Sequence, residues 1–374
     1  MKRIKAPLLA AILVAGCFPI ELDVSKDGRI LIAREEGFFA VDPATGQVTR
    51  VHAPAGGQPV FARFSPDGRQ ILAVTEGSGG AALFGSSGGH NYTVVTLADG
   101  ASRVVFTGSN GTYTCWSPNG EKISLTRVAD GKKPPLDENM PELHLINAKD
   151  GTKKLLGANV SRLHRWFPDS KAVLVFQIQS KDKKDNLYRG TLSSIDVASG
   201  EGKALANVVG SRNVFFDLSP DGTTVLFTAR AAGKVGAELT PEKKARLFQL
   251  TVADGTVKPL NEGVKFAVFS PDGKRVLLGT DEKNSLVTLK VAGADLTTFT
   301  EVAAKAAAQM SSGMGPNTSI YPAWVGNDSV CYLTKTAVYG KAGENLALTV
   351  VGADGKNPKN LQAVIDTAAL KTVE

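Results

Sequence analysis

Histidine, cysteine and methionine are scarce in this chain, at four, three and four among 374 residues. Three cysteines cannot build a disulfide framework, and four scattered histidines nearly exclude a Cys/His zinc module. A literal G-x-S-x-G match at Gly85–Gly89 falls inside a glycine-rich connection and not on a strand-to-helix elbow, and no H-E-x-x-H occurs, so two common hydrolytic signatures lack their context or are missing. The glycine-rich stretch from Gly77 to Gly89 lacks the Gly-Lys-Ser/Thr ending of a phosphate loop and reads as a plain connection. A strong charge of one sign is missing too. The formal charge is +7, but Lys2, Arg3 and Lys5 lie in a removable leader, which leaves about +4. So mild an excess does not point to nucleic acid, which calls for a concentrated basic face. Nor is there an apolar run of the roughly 20 residues that span a bilayer. What the chain does have is 43% hydrophobic against 21% charged residues, enough for a packed core, and 39 glycines. Its length suits two ordinary domains or one large all-β domain.

Residues Met1–Gly16 have the form of a secretion signal: a positive start followed by an apolar run, Ala6 to Ala15, interrupted only by Pro7. The segment closes on Leu13-Val14-Ala15-Gly16-Cys17, which resembles the lipobox of bacterial lipoproteins. The resemblance implies that residues 1–16 are a lipoprotein signal peptide and that Cys17 becomes an acylated N-terminus, with 17–19 as the lipidated tether. Phe18, rather than Asp, follows the cysteine. By resemblance to the enterobacterial sorting rule, this implies the outer membrane. The expected location is the bacterial envelope, facing the periplasm.

Repetition decides the fold. An aromatic-x-x-aromatic-Ser-Pro-Asp-Gly motif followed by an aliphatic run occurs at Phe61–Gly68, Tyr113–Gly120, Phe215–Gly222 and Phe266–Gly273. Weaker copies stand at Glu21–Gly28, Leu163–Ser170 and Tyr321–Asp328. The matching positions Asp27, Asp67, Asn119, Asp169, Asp221, Asp272 and Asn327 are separated by 40, 52, 50, 52, 51 and 55 residues. Most copies are followed by an alternating segment and an Asp-Gly type turn, as at Asp99-Gly100 or Asp254-Gly255.

The proline presets φ for the first corner of a type I turn, Asp or Asn suits the second, and Gly takes the left-handed conformation that reverses the chain. The run after it, such as Ile71-Leu72-Ala73-Val74, reads as a buried strand. Each unit is therefore expected to be a four-stranded antiparallel meander, strands a to d. Such sheets bury both faces by stacking radially. The expected fold is all-β: a seven-bladed β-propeller of four-stranded blades over residues 20–374, after the signal peptide. The motif resembles the TolB-type, WD-like propeller repeat of bacterial envelope proteins, across nearly the whole mature chain. Each blade supplies its own strands, so no strand exchange is expected at ring closure.

In this meander the a–b and c–d turns share one face and are short. The b–c connections on the other face are expected to be long: Glu76–Asn91, Ala129–Glu142, Gln179–Gly190, Ala229–Arg246 and Thr334–Asn345. The link into blade 7, about Thr300 to Ile320, carries the helix-prone stretch Glu301–Met310. Long loops on a rigid scaffold are where binding concentrates. The blade 5 loop has Arg230, Lys234, Lys243, Lys244 and Arg246 against Glu238 and Glu242. The blade 4 loop has Lys181, Lys183, Lys184 and Arg189 against Asp182 and Asp185, whereas the blade 3 loop is acidic on balance. The candidate binding residues are therefore Lys181, Lys183, Lys184, Arg189, Lys234, Lys243, Lys244 and Arg246, suited to anionic headgroups or an acidic partner. A charge run is also what an ordinary solvated face shows. With only Phe18 and Pro19 between Cys17 and blade 1, the tether reaches roughly 10 Å and enters on the long-loop face, which is expected to lie near the membrane.

Two residues before the turn serine, the inner strands carry Asp23, Arg63, Cys115, Arg165, Asp217, Val268 and Ala323. Neighbouring blades thus juxtapose Asp23 with Arg63 and Arg165 with Asp217, as structural ion pairs or as a polar channel for a peptide or small anion. His164 is the one histidine on an expected inner strand, so the candidate channel-lining set is Asp23, Arg63, His164, Arg165 and Asp217. Cys115 and Cys331 are expected to be separate buried thiols, and Trp116, Trp166 and Trp324 to be inter-blade core. Propeller lyases of the oligogalacturonate type resemble this architecture but gather several histidines around a metal, which this chain does not offer. No catalytic residue, metal ligand or cofactor site is identified. The reading is a protein-binding, scaffold-type envelope propeller held to the membrane through Cys17, its partner an envelope protein or anionic ligand and not nucleic acid. The alternative is a propeller enzyme or carbohydrate-binding protein with its site at the axial mouth.

Overall fold

The computed structural model describes residues 22–34, 36–76, 89–108, 111–128, 140–281, 286–307, 322–335 and 346–361. The leader, Cys17, most of the b–c connections of blades 2, 3 and 7, and residues 308–321 of the link into blade 7 lie outside these. Regular structure among the described residues is all strand, and no helix is long and apolar enough to cross a membrane.

The strands form seven antiparallel blades, each from four strands in or close to consecutive order. Blade 1 is β1 (Asp23–Val24), β2 (Ile30–Arg34), β3 (Gly37–Val41) and β4 (Val48–His52); blade 2 is β5 (Pro59–Phe64), β6 (Gln70–Glu76), β7 (His90–Thr96) and β8 (Ser102–Gly108). Blade 3 comprises β9 (Gly111–Trp116), β10 (Lys122–Val128), β11 (Pro141–Asn147) and β12 (Lys153–Gly157). Blade 4 follows with β13 (Val160–Trp166), β14 (Ala172–Asp182), β15 (Leu187–Asp196) and β16 (Gly202–Gly210). Blade 5 has β17 (Phe216–Leu218), β18 (Thr224–Ala229), β20 (Arg246–Thr251) and β21 (Thr256–Glu262), with β19 (Ala231–Gly233) inserted between its second and third strands. Blade 6 is β22 (Val264–Phe269), β23 (Arg275–Asp281), β24 (Leu286–Gly293) and β25 (Phe299–Ala307); blade 7 is β26 (Ala323–Val325), β27 (Ser329–Lys335), β28 (Leu346–Gly352) and β29 (Lys359–Asn360). The first strand of each blade lies innermost, and β26 meets β1 to close the ring. The fold is a seven-bladed β-propeller.

Local chemistry sets each a–b turn. In blade 5, the N–H of Gly222 donates to the carbonyl of Ser219 at 2.8 Å, and Gly222 has φ 75°. The serine hydroxyl works twice: Ser219 Oγ donates to Asp221 Oδ1 at 2.6 Å and accepts the N–H of Thr224 at 2.9 Å. The same pair of bonds recurs at Ser65, Ser117 and Ser270. This is a type I turn followed by a left-handed residue, and it explains why serine is needed as well as proline and glycine.

The core is distributed. Seven separate clusters of buried apolar side chains each join two neighbouring blades, one per interface, including that between blades 7 and 1. The last is made by Leu22, Ile30, Phe39 and Val41 against Cys331, Leu348 and Leu361. A single blade has no core of its own, so stability comes from stacking.

Two expectations are corrected. The helix-prone stretch from Glu301 is strand as far as it is described, β25, paired along β24 with Val302 and Ala306 buried. Alanine's helix preference is worth under about 1 kcal/mol per residue, less than those ladder bonds and that burial contribute. The expected blade 4 loop Gln179–Gly190 is a protruding hairpin, with β14 and β15 paired out to Asp182 and Leu187. Asn186, at φ 52°, takes the left-handed corner that lets so charged a segment turn tightly.

Candidate functional site

Two regions gather polar side chains. The first is a belt on the axis. Asp23 on β1 takes the N–H of Phe64 on its Oδ2 at 2.6 Å, while Arg63 Nη1 stands 3.4 Å from its Oδ1. Across the ring, Asp217 on β17 takes the N–H of Phe269 at 3.0 Å and Arg165 Nε at 2.8 Å. Tyr113 on β9 joins the halves. Its ring lies 5.5 Å from the guanidinium carbon of Arg63 and 5.6 Å from that of Arg165, and its hydroxyl accepts a hydrogen bond from Arg165 Nη1. Burial alone would lower the Arg165 pKa, but the neighbouring Tyr113 and Asp217 outweigh it, so the guanidinium stays charged.

Sequence reasoning missed Tyr113. It occupies the slot held by Phe61, Phe215 and Phe266 in other repeats, and the hydroxyl was the only signal that it does more than pack. His164 is on inner strand β13, but its side chain is fully buried between blades 3 and 4 instead of standing open to the channel. Its Nε2 lies 2.7 Å from Ser124 Oγ, its ring meets Tyr113 edge-on, and burial, then the charge of Arg165, pushes its pKa down to about 3. Cys115 and Cys331 are separate free thiols, the latter pushed up to about 12 by burial. The three tryptophans are nearly buried, and Trp116 and Trp324 spend their indole N–H groups on the carbonyls of Arg63 and Val268 in the preceding blades.

A cavity of about 730 Å³ runs along the belt, past Asp23, Arg63, Tyr113 and Cys115. It reaches the short-turn face, where Lys26, Pro66, Pro271 and Asn327 stand at its rim.

The second region is a platform at the outer edge of blades 4 and 5, on the long-loop face. The blade 5 insertion turns back and adds β19 to β16 as a fifth strand, with Val209 opposite Ala231 and Asn207 opposite Gly233. Arg189 Nη1 donates to the Leu239 carbonyl at 3.2 Å, and Asn207 Nδ2 donates to that of Ala237 at 3.1 Å. Arg230 Nη1 holds the Glu242 carbonyl at 3.0 Å, and Arg246 pairs with Glu242 and Glu262 at 3.4 and 3.1 Å. Arg189 and Arg246, both half-buried, therefore brace the platform. Lys181 lies over the Tyr188 ring at 5.3 Å. Lys183, Lys184, Lys234, Lys243 and Lys244 are exposed on it.

No family model matches the chain, and no curated protein matches it in sequence. Among solved structures it is similar to an oligogalacturonate lyase in complex with manganese, at TM-score 0.62 and 14% identity over 89% of this chain and 88% of that one. It is similar to the oligogalacturonate lyase of Vibrio parahaemolyticus at TM-score 0.63 and 12% identity, over 90% and 89%. TolB from Acinetobacter baumannii aligns at TM-score 0.50 and 14% identity, over 91% and 77%. These likenesses establish the propeller fold. The manganese of the lyase raises a donor-set question. Here His52, His90, His144 and His164 are spread one per blade over blades 1 to 4, and no three His, Cys, Asp or Glu side chains gather among the described residues. Those residues do not fit a manganese site.

Proposed function

We propose that this chain is a lipid-anchored protein of the bacterial envelope that works by binding, with the blade 4–5 platform as its docking surface for an acidic partner protein. The observation that supports this reading most is the construction of the platform. A solvated insertion of this length has no need of a fifth strand and three arginine braces, yet here they hold exposed lysines on a fixed base. Preorganised charge of this kind sets encounter rate and specificity. Acylation of Cys17 and a tether of roughly 10 Å would keep this face beside the membrane, where an envelope partner is met. The competing reading, action on a carbohydrate, draws on fold likeness alone.

Photo-crosslinking from a position beside Lys244 in intact membranes, followed by purification, tests this. The reversal Lys183→Glu, Lys184→Glu, Lys243→Glu, Lys244→Glu is expected to cut recovery of the crosslinked protein by at least about tenfold, with the circular dichroism of the fold retained. Undiminished recovery would falsify the assignment of the platform.

A further inference from the structure

Arginines in this ring are mostly engaged. Arg165, Arg189, Arg230, Arg246 and Arg275 each reach a carboxylate or a carbonyl. The side chain of Arg162, near the start of inner strand β13, reaches neither among the described residues. It is half-buried, and its Nε is shut away from water with no hydrogen-bond partner. A cation so placed costs free energy until an anion meets it. The backbone beneath it is unusual. In blades 2, 3 and 6 the pairing of the first two strands holds one extra residue on the inner strand. In blade 4, Ser161, Arg162 and Leu163 together oppose the single Phe176, an excess of two. Bulges re-aim a side chain and occur beside functional sites. This enlarged one is braced: Thr126 Oγ1 of blade 3 donates to the Arg162 carbonyl at 2.7 Å, and Ser161 Oγ donates to that of Leu163 at 3.1 Å. Leu163 packs against the cluster that holds Val214 and Phe216, which draws the chain just after Arg212 up to β13.

We infer that Arg162, with Arg212 beside it, forms an anion site on the axial side of blades 4 and 5, at the long-loop face, and that the site takes a phosphate monoester. The field there is positive: burial, then the charge of Arg212, lowers the Arg162 pKa, and no carboxylate among the described residues counters them. Arg212 has contacts of its own and acts here through its charge. A phosphate monoester carries about −1.5 to −2 near neutral pH, so it answers two neighbouring cations better than one carboxylate does. The planar guanidinium of Arg162 matches two phosphate oxygens at once. A soluble phosphate ester and a lipid phosphate share this chemistry, and the experiment separates them. The site is set apart from the lysine platform at the outer edge of the same blades and does not rest on it.

The full-length protein in an uncharged detergent is titrated by calorimetry at about pH 7.5 and constant ionic strength with glycerol phosphate, with acetate and with micellar phosphatidic acid. Glycerol phosphate is expected to bind saturably and at least about tenfold more tightly than acetate. Tighter binding of phosphatidic acid than of glycerol phosphate assigns the site to a lipid headgroup, and equal or weaker binding assigns it to a soluble ester. Arg162→Gln is expected to abolish glycerol phosphate binding while the melting temperature without ligand is kept or raised, since the variant removes a charge that has no partner; a purely structural arginine would lower it. Arg212→Gln is expected to narrow the preference for phosphate over acetate by about threefold or more. No saturable binding of glycerol phosphate below about 10 mM, acetate or tri-galacturonate binding as tightly as glycerol phosphate, or undiminished binding by Arg162→Gln overturns the inference.

Discussion

His164 shows what a single position in this ring can do. A histidine buried neutral, with its pKa held down to about 3 against an ordinary 6.5, means that the folded chain carries fewer protons than the unfolded one between those values. Its contribution is therefore complete above pH 6.5 and is lost as pH falls, by about 1.4 kcal/mol per pH unit while the difference of one proton lasts. His52, His90 and His144 are also lowered by burial and add to the same limb. Turn carboxylates such as Asp67, lowered by the Ser65 hydroxyl, act only below their ordinary 3.8. Denaturant unfolding of His164→Gln is expected to show a shallower decline between pH 6.5 and 4 than the parent, and an unchanged slope would mean that the ring is protonated in place. At this scale, alignment of the repeats brought Asp23 beside Arg63 and Arg165 beside Asp217. It could not convey that one pair stands at 3.4 Å and the other at 2.8 Å, because that depends on backbone offsets between blades.

Among the elements, the turns were the most legible and the connections the least. A Ser-Pro-Asp-Gly run encodes its own geometry through φ preferences and hydrogen bonds no more than five residues apart, so the sequence suffices to read it. The strand β25 and the β14–β15 hairpin depend on partners elsewhere in the chain, and local preference misreads both. The turns also differ in a way that the repeat conceals. Gly120 and Gly222 have φ of 73° and 75°, but a Cβ on Gly120 meets nothing within 4 Å, whereas one on Gly222 falls 3.0 Å from Cδ of Pro168 in the turn of the preceding blade. Gly120→Ala is therefore expected to cost about 1 kcal/mol, for the left-handed backbone alone. Gly222→Ala is expected to cost about 2–3 kcal/mol, the two being compared by chemical denaturation. Blade 4 already has a non-glycine there: Ser170 sits at φ 61° and offsets the strain by accepting the N–H of Asn119 at 3.0 Å from blade 3.

For the whole molecule, seven turn signatures became seven blades because each sheet has two apolar faces and only its neighbours to cover them. The platform could not be read in the same way. Its lysines were visible as a charge run, but the fifth strand and the arginine braces that fix them arise from contacts between blades 4 and 5. If the proposed anchor holds this face against the membrane, trypsin cleavage at Lys243 and Lys244 is expected to be slowed several-fold in intact membranes relative to detergent solution. Equal cleavage rates would separate the platform from the bilayer.

The junction of blade 7 with blade 1 has a mechanical consequence. No backbone ladder crosses it among the described strands; it is sealed by greasy side chains and by Lys359 Nζ reaching the carbonyls of Pro43 and Ala44. Blades 6 and 7, by contrast, are welded by the rung between Ala306 and Thr334. If the proposed anchor carries load, a pull on the first residues is expected to open this seam of side chains before the laddered joint between blades 6 and 7.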